Sequence, residues 1–243
     1  VNKLIDAIII AKLLQKGYAF VHAGAVAYNG MCILLPAMGR VGKTSTVLSL
    51  LNSDNFSYMG DNFILLDKNG TAYAYPEEIS IYPGTNIKDV SLPRAKKIQI
   101  YLKRLIAKSN ILVAILYHKF RINLREGLIL NTLIEEKAPI KKVFILNKGE
   151  EQIREIDTSQ AVNQILTGTD LEMSHLNNYY TSLYAYLSGV SNFHPIELIE
   201  KRKEIVEEAI KNAECYELRA NEIERYTEMI RKVLDTYFKG GNQ

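Results

Sequence analysis

"LLPAMGRVGKTSTVLSLL", residues 34–51, decides how the chain is read. An apolar run ends at Pro36, two glycines bend the chain, a lysine precedes two hydroxyl side chains, and apolar residues then recur at helical spacing. Strand, glycine-containing loop and helix in that order suit phosphate binding. The N–H groups of a tight loop and of a helix's first turn point at the anion, and a lysine and a hydroxyl complete the cradle. Ala37, Met38, Gly39, Arg40, Val41, Gly42, Lys43 and Thr44 follow G-x-x-x-x-G-K-[ST], with alanine in the first glycine's place. Alanine is tolerated there if its φ is negative, and Gly39 adds freedom beside it. On this reading Lys43 contacts phosphate, Thr44 holds Mg2+ and Ser45 adds a hydrogen bond to an α-phosphate. Kinases, GTPases and motor-like ATPases all use such a loop, so its neighbours must choose among them.

Before the loop, residues 18–28 alternate as a strand, Asn29-Gly30 is a two-residue hairpin signal, and residues 31–35 return as a buried strand. Residues 2–16 repeat apolar positions at helical spacing and stop at Gly17. After the loop, residues 44–51 read as its helix and 56–67 as one strand. Lys68-Asn69-Gly70 reads as a second hairpin turn, with strands at 71–75 and around 79–82. Residues 85–135 are mostly helix-like, with an apolar run at 111–117 whose type stays open. Residues 141–146 form a short strand with 152–156 as its expected partner, and Thr158 or Ser159 caps a helix over 160–166. Helical patterns cover 171–187, 195–212 and 221–238, with a short strand at 215–218. No repeat or linker-like segment interrupts this, so a single domain over 1–243 is expected, with a nucleotide-binding core near 18–85 and a helical portion near 158–243.

Composition narrows the classes. Of 243 residues 47% are hydrophobic, enough for a sizeable core, and a net charge of +3 is too small by itself to indicate nucleic acid or a membrane surface. Cys32 and Cys215 stand apart without metal-ligand spacing, and Cys32 fits a small core residue. There is no cationic apolar leader and no apolar run of about 18 residues, so a cytoplasmic protein without a membrane partner is expected. Ten Lys and Arg between 88 and 125 form a solvated helical face or attract an anionic substrate or acidic partner. Without a nucleic-acid motif, RNA or DNA is a minor expectation.

Three elements accompany the loop. His22 lies in "VHAGAVAYNGMCILL" on the strand before it, Asp61 lies in "YMGDNFILL" after its helix, and Glu77 and Glu78 lie in "AYPEEISIYP". An acid after the loop's helix can face a loop-bound γ-phosphate. Together these segments resemble the HPr kinase/phosphorylase-like family, whose nucleotide-binding core is shared with phosphoenolpyruvate carboxykinase. The resemblance covers residues 18–85 and, more loosely, 138–166. It implies an α/β fold with a P-loop kinase core of that type, a mixed sheet with antiparallel hairpins, and a helical C-terminal portion. It further implies ATP and Mg2+ as nucleotide and metal, in-line transfer of a γ-phosphoryl group to a hydroxyl, and possible homo-oligomerisation.

The family carries a paired Asp-Asp after the loop's helix. In ungapped register Asp61 takes the second, proton-accepting place and Gly60 replaces the first; with one insertion Asp61 takes the first and Asn62 the second. Asp61 is thus either the base for the acceptor hydroxyl or a magnesium-linked acid. His22 is a catalytic candidate that orients an acid or contacts substrate, or else a core histidine. Glu78 matches the family's magnesium-linked glutamate only through Glu-Ile, because Ser80-Ile81 replaces the rest of its signature. The family's extra N-terminal domain and signature loop are not expected here, which argues against HPr as substrate. The acceptor is left as an unidentified small molecule or protein-borne hydroxyl. Two rivals remain: a regulator that binds nucleotide without phosphoryl transfer, and a Ras-like GTPase using Asp67-Lys68-Asn69-Gly70 and Asn147-Lys148-Gly149-Glu150.

Overall fold

The computed structural model describes residues 2–52, 55–75, 79–80, 94, 98, 101–102, 121–122, 133–176, 178–179, 181–182, 185 and 195–240. Helix α1 (Asn2–Gln15) leads into the hairpin of β1 (Tyr18–Tyr28) and β2 (Met31–Pro36), and the loop then opens α2 (Lys43–Leu50). Next come β3 (Phe56–Gly60), β4 (Phe63–Asp67), β5 (Thr71–Tyr73), and a small pair formed by β6 (Ile79–Ser80) and β7 (Arg121–Ile122). The remainder is β8 (Lys137–Asn147), β9 (Gln152–Ile156), α3 (Thr158–Glu172), α4 (Pro195–Ile210), β10 (Glu214–Arg219) and α5 (Ile223–Gly240).

Strands β1 and β8 are long and each serves two ladders. Residues 18–22 of β1 pair antiparallel with β4, while residues 23–28 pair antiparallel with β2 and, from Ala25 onward, with β3 on the other edge. In β8, residues 137–139 pair with β5, and further along the strand runs parallel to both β2 and β10. Pro139 has no N–H to give a ladder and sits where β8 changes partners. One antiparallel sheet therefore runs β1-β4-β5-β8, and a mixed one runs β3-β1-β2-β8-β10-β9.

Alternation along the strands separates two cores. Cys32 and Leu34 of β2 and Val143 and Ile145 of β8 face α1, α3 and α4; Ile33, Leu35, Phe144 and Leu146 face α2 and α5. The central strands are apolar on both faces because helices cover both. This is an α/β fold built on a mixed sheet with antiparallel hairpins, as the sequence predicts. The Asn29-Gly30 hairpin forms with φ of 50° and 76°, the positive pair that a two-residue turn matched to strand twist requires.

Three expectations change. The strand expected over 56–67 breaks at Asp61-Asn62 into β3 and β4, although Ala25 facing Gly60 and His22 facing Phe63 preserve one register across the break. The segment 152–156 pairs with β10 and not with β8, whose edge β10 occupies in parallel; local alternation does not encode that non-local choice. The cap of α3 is Asp157, which accepts from Gln160 N at 2.7 Å, and the helix continues to Glu172. Glu77 and Glu78, and most of the basic segment 88–125, lie outside the described residues. Among the described residues no helix is long and apolar enough to cross a membrane.

Candidate functional site

The loop leaves β2 at Ala37, which still bridges in parallel to Leu146 of β8, and it turns through two positive-φ residues, Arg40 at 67° and Gly42 at 126°. Ala37 is not among the positive-φ residues, so the alanine fits. The left-handed position in the loop's middle falls on Arg40, a conformation costing a non-glycine residue about 1–2 kcal/mol. Gly39 matters for its size: a Cβ there would lie 3.3 Å from Glu172 Oε1. Met38 is exposed, with its sulfur against Gly168 of α3, and Val41 packs on the α2–α5 core. Gly42 caps α2 without any side-chain hydrogen bond, which leaves the first-turn N–H groups directed outward from a helix's positive end.

Lys43 opens α2 and lies over β1. His22, Gly24 and Val26 alternate onto that side of the strand, and Gly24 provides the clearance. A Cβ on Gly24 would stand 2.8 Å from Val47 Cγ2 and 3.1 Å from Lys43 Cγ, so only glycine lets the helix approach so closely. Lys43 Nζ donates to His22 Nε2 at 2.6 Å. With the ammonium as donor, Nε2 accepts and the ring proton falls on Nδ1, which is buried with no partner among the described residues. Burial, with Lys43 adding to it, lowers the His22 pKa to about 3. Burial likewise lowers Lys43 to about 8, with Asp61 and Glu172 opposing it.

Asp61 sits at the break between β3 and β4, where the carried-through register sets it opposite Gly24. Thr44 Oγ1 donates to Asp61 Oδ2 at 2.8 Å, while Oδ1 is buried with no hydrogen-bond partner among the described residues. Burial raises the Asp61 pKa to about 6, against the opposite pull of Lys43 and the Thr44 hydrogen bond. Gly60 is closely enclosed: a Cβ would meet Ile64 Cδ1 at 2.6 Å, so that side chain must turn aside, and Phe63 O at 3.2 Å.

The fold thus gathers His22, Lys43, Thr44 and Asp61 around the loop. Ser45 is buried on α2, and Glu78 lies outside the described residues. Two neighbours carry no motif in the sequence, Thr169 and Glu172 of α3. His22 N donates to Thr169 Oγ1 at 2.9 Å, and Glu172 Oε1 stands 3.8 Å from His22 Nε2. A buried threonine one turn before a helix-ending glutamate, next to Gly168, is the only trace they leave in sequence.

The segments that suggest a GTPase do other work here. Asp67 Oδ1 accepts from Asn69 N and Thr71 N, and Oδ2 accepts from Tyr73 OH, which makes Asp67 the organiser of a hairpin turn. Asn147 Nδ2 donates to Gln164 Oε1 and Glu217 Oε1 at 3.0 and 2.9 Å. No family model matches the chain, and no curated protein matches it. Among solved structures, the Hpr(Ser) kinase/phosphatase from Coxiella burnetii is similar over 64% of this chain and 98% of that chain, at 12% identity and a TM-score of 0.32. At that identity and score, what the site can do follows from its own residues.

Proposed function

We propose that this chain is an ATP- and Mg2+-dependent phosphotransferase of the HPr kinase/phosphoenolpyruvate carboxykinase type, transferring a γ-phosphoryl group to the hydroxyl of a small molecule or protein. The observation that carries the reading is the Thr44 Oγ1 to Asp61 Oδ2 hydrogen bond beside Lys43, at the uncapped start of α2. In P-loop proteins a hydroxyl and an acid so placed share a magnesium ion.

The residues fit such an ion. Asp61 Oδ1 is buried without a partner among the described residues, and Thr44 directs its proton to Asp61, which leaves its lone pairs for a cation. Among the described residues no three His, Cys, Asp or Glu cluster as a metal cage. Mg2+ suits that arrangement, since it keeps waters and takes one or two protein ligands together with substrate phosphates. When bound, it neutralises charge on the phosphoryl oxygens. The chain's own residues have separate tasks. Loop N–H groups and Lys43 orient the phosphates, Thr44 and Asp61 hold the cation, and neutral His22 keeps Lys43 in place. With Asp61 engaged by Thr44, metal holding is favoured over proton abstraction from the acceptor.

A regulator that binds nucleotide without transferring phosphate is the second reading. A closely enclosed glycine at 60 favours it, because the single carboxylate of Asp61 would then serve both metal and acceptor. One assay separates the two: titrate ATP with Mg2+ into wild type, Lys43→Ala and Asp61→Asn, then follow γ-labelled ATP against a panel of hydroxyl acceptors. Phosphorylated product lost in both variants supports the kinase. Binding lost in Lys43→Ala with no product across the panel supports the regulator.

A further inference from the structure

Glu172 is the residue at the loop that the proposed chemistry leaves unused. It ends α3 beside the loop. Lys43 is near enough that Glu172, after Asp61, favours its charged form. Glu172 Oε1 is 3.8 Å from His22 Nε2, the atom that accepts from Lys43, and it lies against the bare Cα of Gly39. Its position is set one turn earlier: Thr169 Oγ1 accepts from His22 N at 2.9 Å and donates to Ile165 O at 2.7 Å, which pins α3 to β1. Thr169 is fully buried, whereas the Glu172 side chain is 44% exposed.

We propose that Glu172 is an affinity-setting residue whose carboxylate occupies the approach to Gly39 and Lys43, standing in for a phosphate group until a nucleotide's phosphates displace it. The inference rests on the reading of residues 37–44 as a phosphate loop. Like charges cannot share that approach in a partly desolvated site, so binding requires Glu172 to swing away and Lys43 to exchange one anion for another. The occupant is a polyphosphate because the surrounding ammonium, uncapped helix N–H groups and glycine without a side chain receive anionic oxygen.

The test uses the full chain with ATP, AMP and inorganic pyrophosphate as probes, each titrated with and without Mg2+ at low and high salt. Because the charge is partly screened, Glu172→Gln and Glu172→Ala should each bind ATP and pyrophosphate about three- to tenfold more tightly than wild type. The gain should persist without Mg2+, shrink at high salt and be smallest for AMP. Glu172→Asp, which keeps the charge, should stay near wild type. Thermal melting without ligand should change little, which distinguishes this role from simple support of the loop. Unchanged or weaker binding in both neutral variants, while Lys43→Ala still abolishes wild-type binding, overturns the inference and leaves the phosphate loop standing. No binding of any probe by wild type overturns the phosphate-loop reading and the inference with it.

Discussion

Thr44 and Asp61 belong to different elements, the start of α2 and the break between β3 and β4, yet the threonine hydroxyl donates to the carboxylate at 2.8 Å. The contact exists because β3 and β4 keep one register along β1 through the break, and because Gly24 lets α2 settle onto that strand. Sheet geometry thus delivers an acid to the loop's hydroxyl.

The first prediction concerns that acid. Replacing Asp61 by Asn keeps the shape and removes the charge, so Mg2+-dependent phosphoryl transfer should fall by ~10²-fold or more. The ligand-free protein should become more stable. Burial raises the Asp61 pKa from 3.8 to about 6, so the native state binds its proton more tightly than the unfolded chain. Stability from this group is full below pH 3.8 and is lost as pH rises through about 6; at pH 7 the ionised carboxylate therefore destabilises the fold. Melting of Asp61→Asn at pH 7 should exceed wild type by the equivalent of ~1–3 kcal/mol, and the difference should narrow toward pH 4. A lower melting temperature at pH 7 would count against burial as the dominant influence on Asp61.

Gly24 gives the second prediction. Alanine there would put a methyl group 2.8 Å from Val47 Cγ2 and 3.1 Å from Lys43 Cγ, so α2 must retreat. Overpacking of this kind costs ~1–3 kcal/mol, and it should weaken ATP binding more than tenfold by displacing the loop's helix. Calorimetric titration beside a melting curve measures both. Equal ATP affinity in Gly24→Ala and wild type would show that the helix position does not set binding.

Local features were legible in the sequence wherever the interaction is local. Strand β1 and its Asn29-Gly30 turn, the loop, and the helix starting near Lys43 each follow from neighbouring residues. The register of β9 was not legible, because β10 reaches β8 from far along the chain and claims the edge that the nearer segment was expected to take. Thr169 and Glu172 escaped for the same reason: Thr169 meets His22 across 147 residues, and nothing in "LTGTDLE" announces that contact. Gly24 and Gly60 were visible as letters, but their need for hydrogen in place of Cβ exists only once α2 and β4 are packed.

Gly60 supports a third prediction, about where a second carboxylate can stand beside Asp61. Gly60→Asp should destabilise the protein by ~2 kcal/mol or more, since its Cβ would stand 2.6 Å from Ile64 Cδ1 and 3.2 Å from a backbone oxygen. It should not raise turnover. Asn62→Asp places a second carboxylate on the other side of Asp61 without that clash. If either variant gains activity, the comparison of the two identifies which register of the pair the site can use.

The last prediction follows from the opposed titrations of Asp61 and Lys43. The proposed function requires Asp61 ionised to hold a cation and Lys43 protonated to hold phosphate, and burial moves the two pKa values toward each other, to about 6 and about 8. The pH profile of kcat/KM, which reports the free protein, should therefore be a narrow bell falling below about 6 and above about 8. Lys43→Arg should remove the alkaline limb, because guanidinium stays charged, while lowering the plateau through its different geometry. His22 should contribute no limb of its own in this range, since burial and Lys43 hold it neutral down to about 3. Its neutrality has a stability signature instead. The unfolded chain takes up the His22 proton below pH 6.5 while the native state resists, so stability from this group is lost as pH falls through 6.5 toward 3. His22→Gln, which offers Lys43 an acceptor without a titrating group, should flatten that acid loss and leave the acid limb of kcat/KM near 6. An acid limb that moves with His22→Gln would reassign it from Asp61 to the histidine.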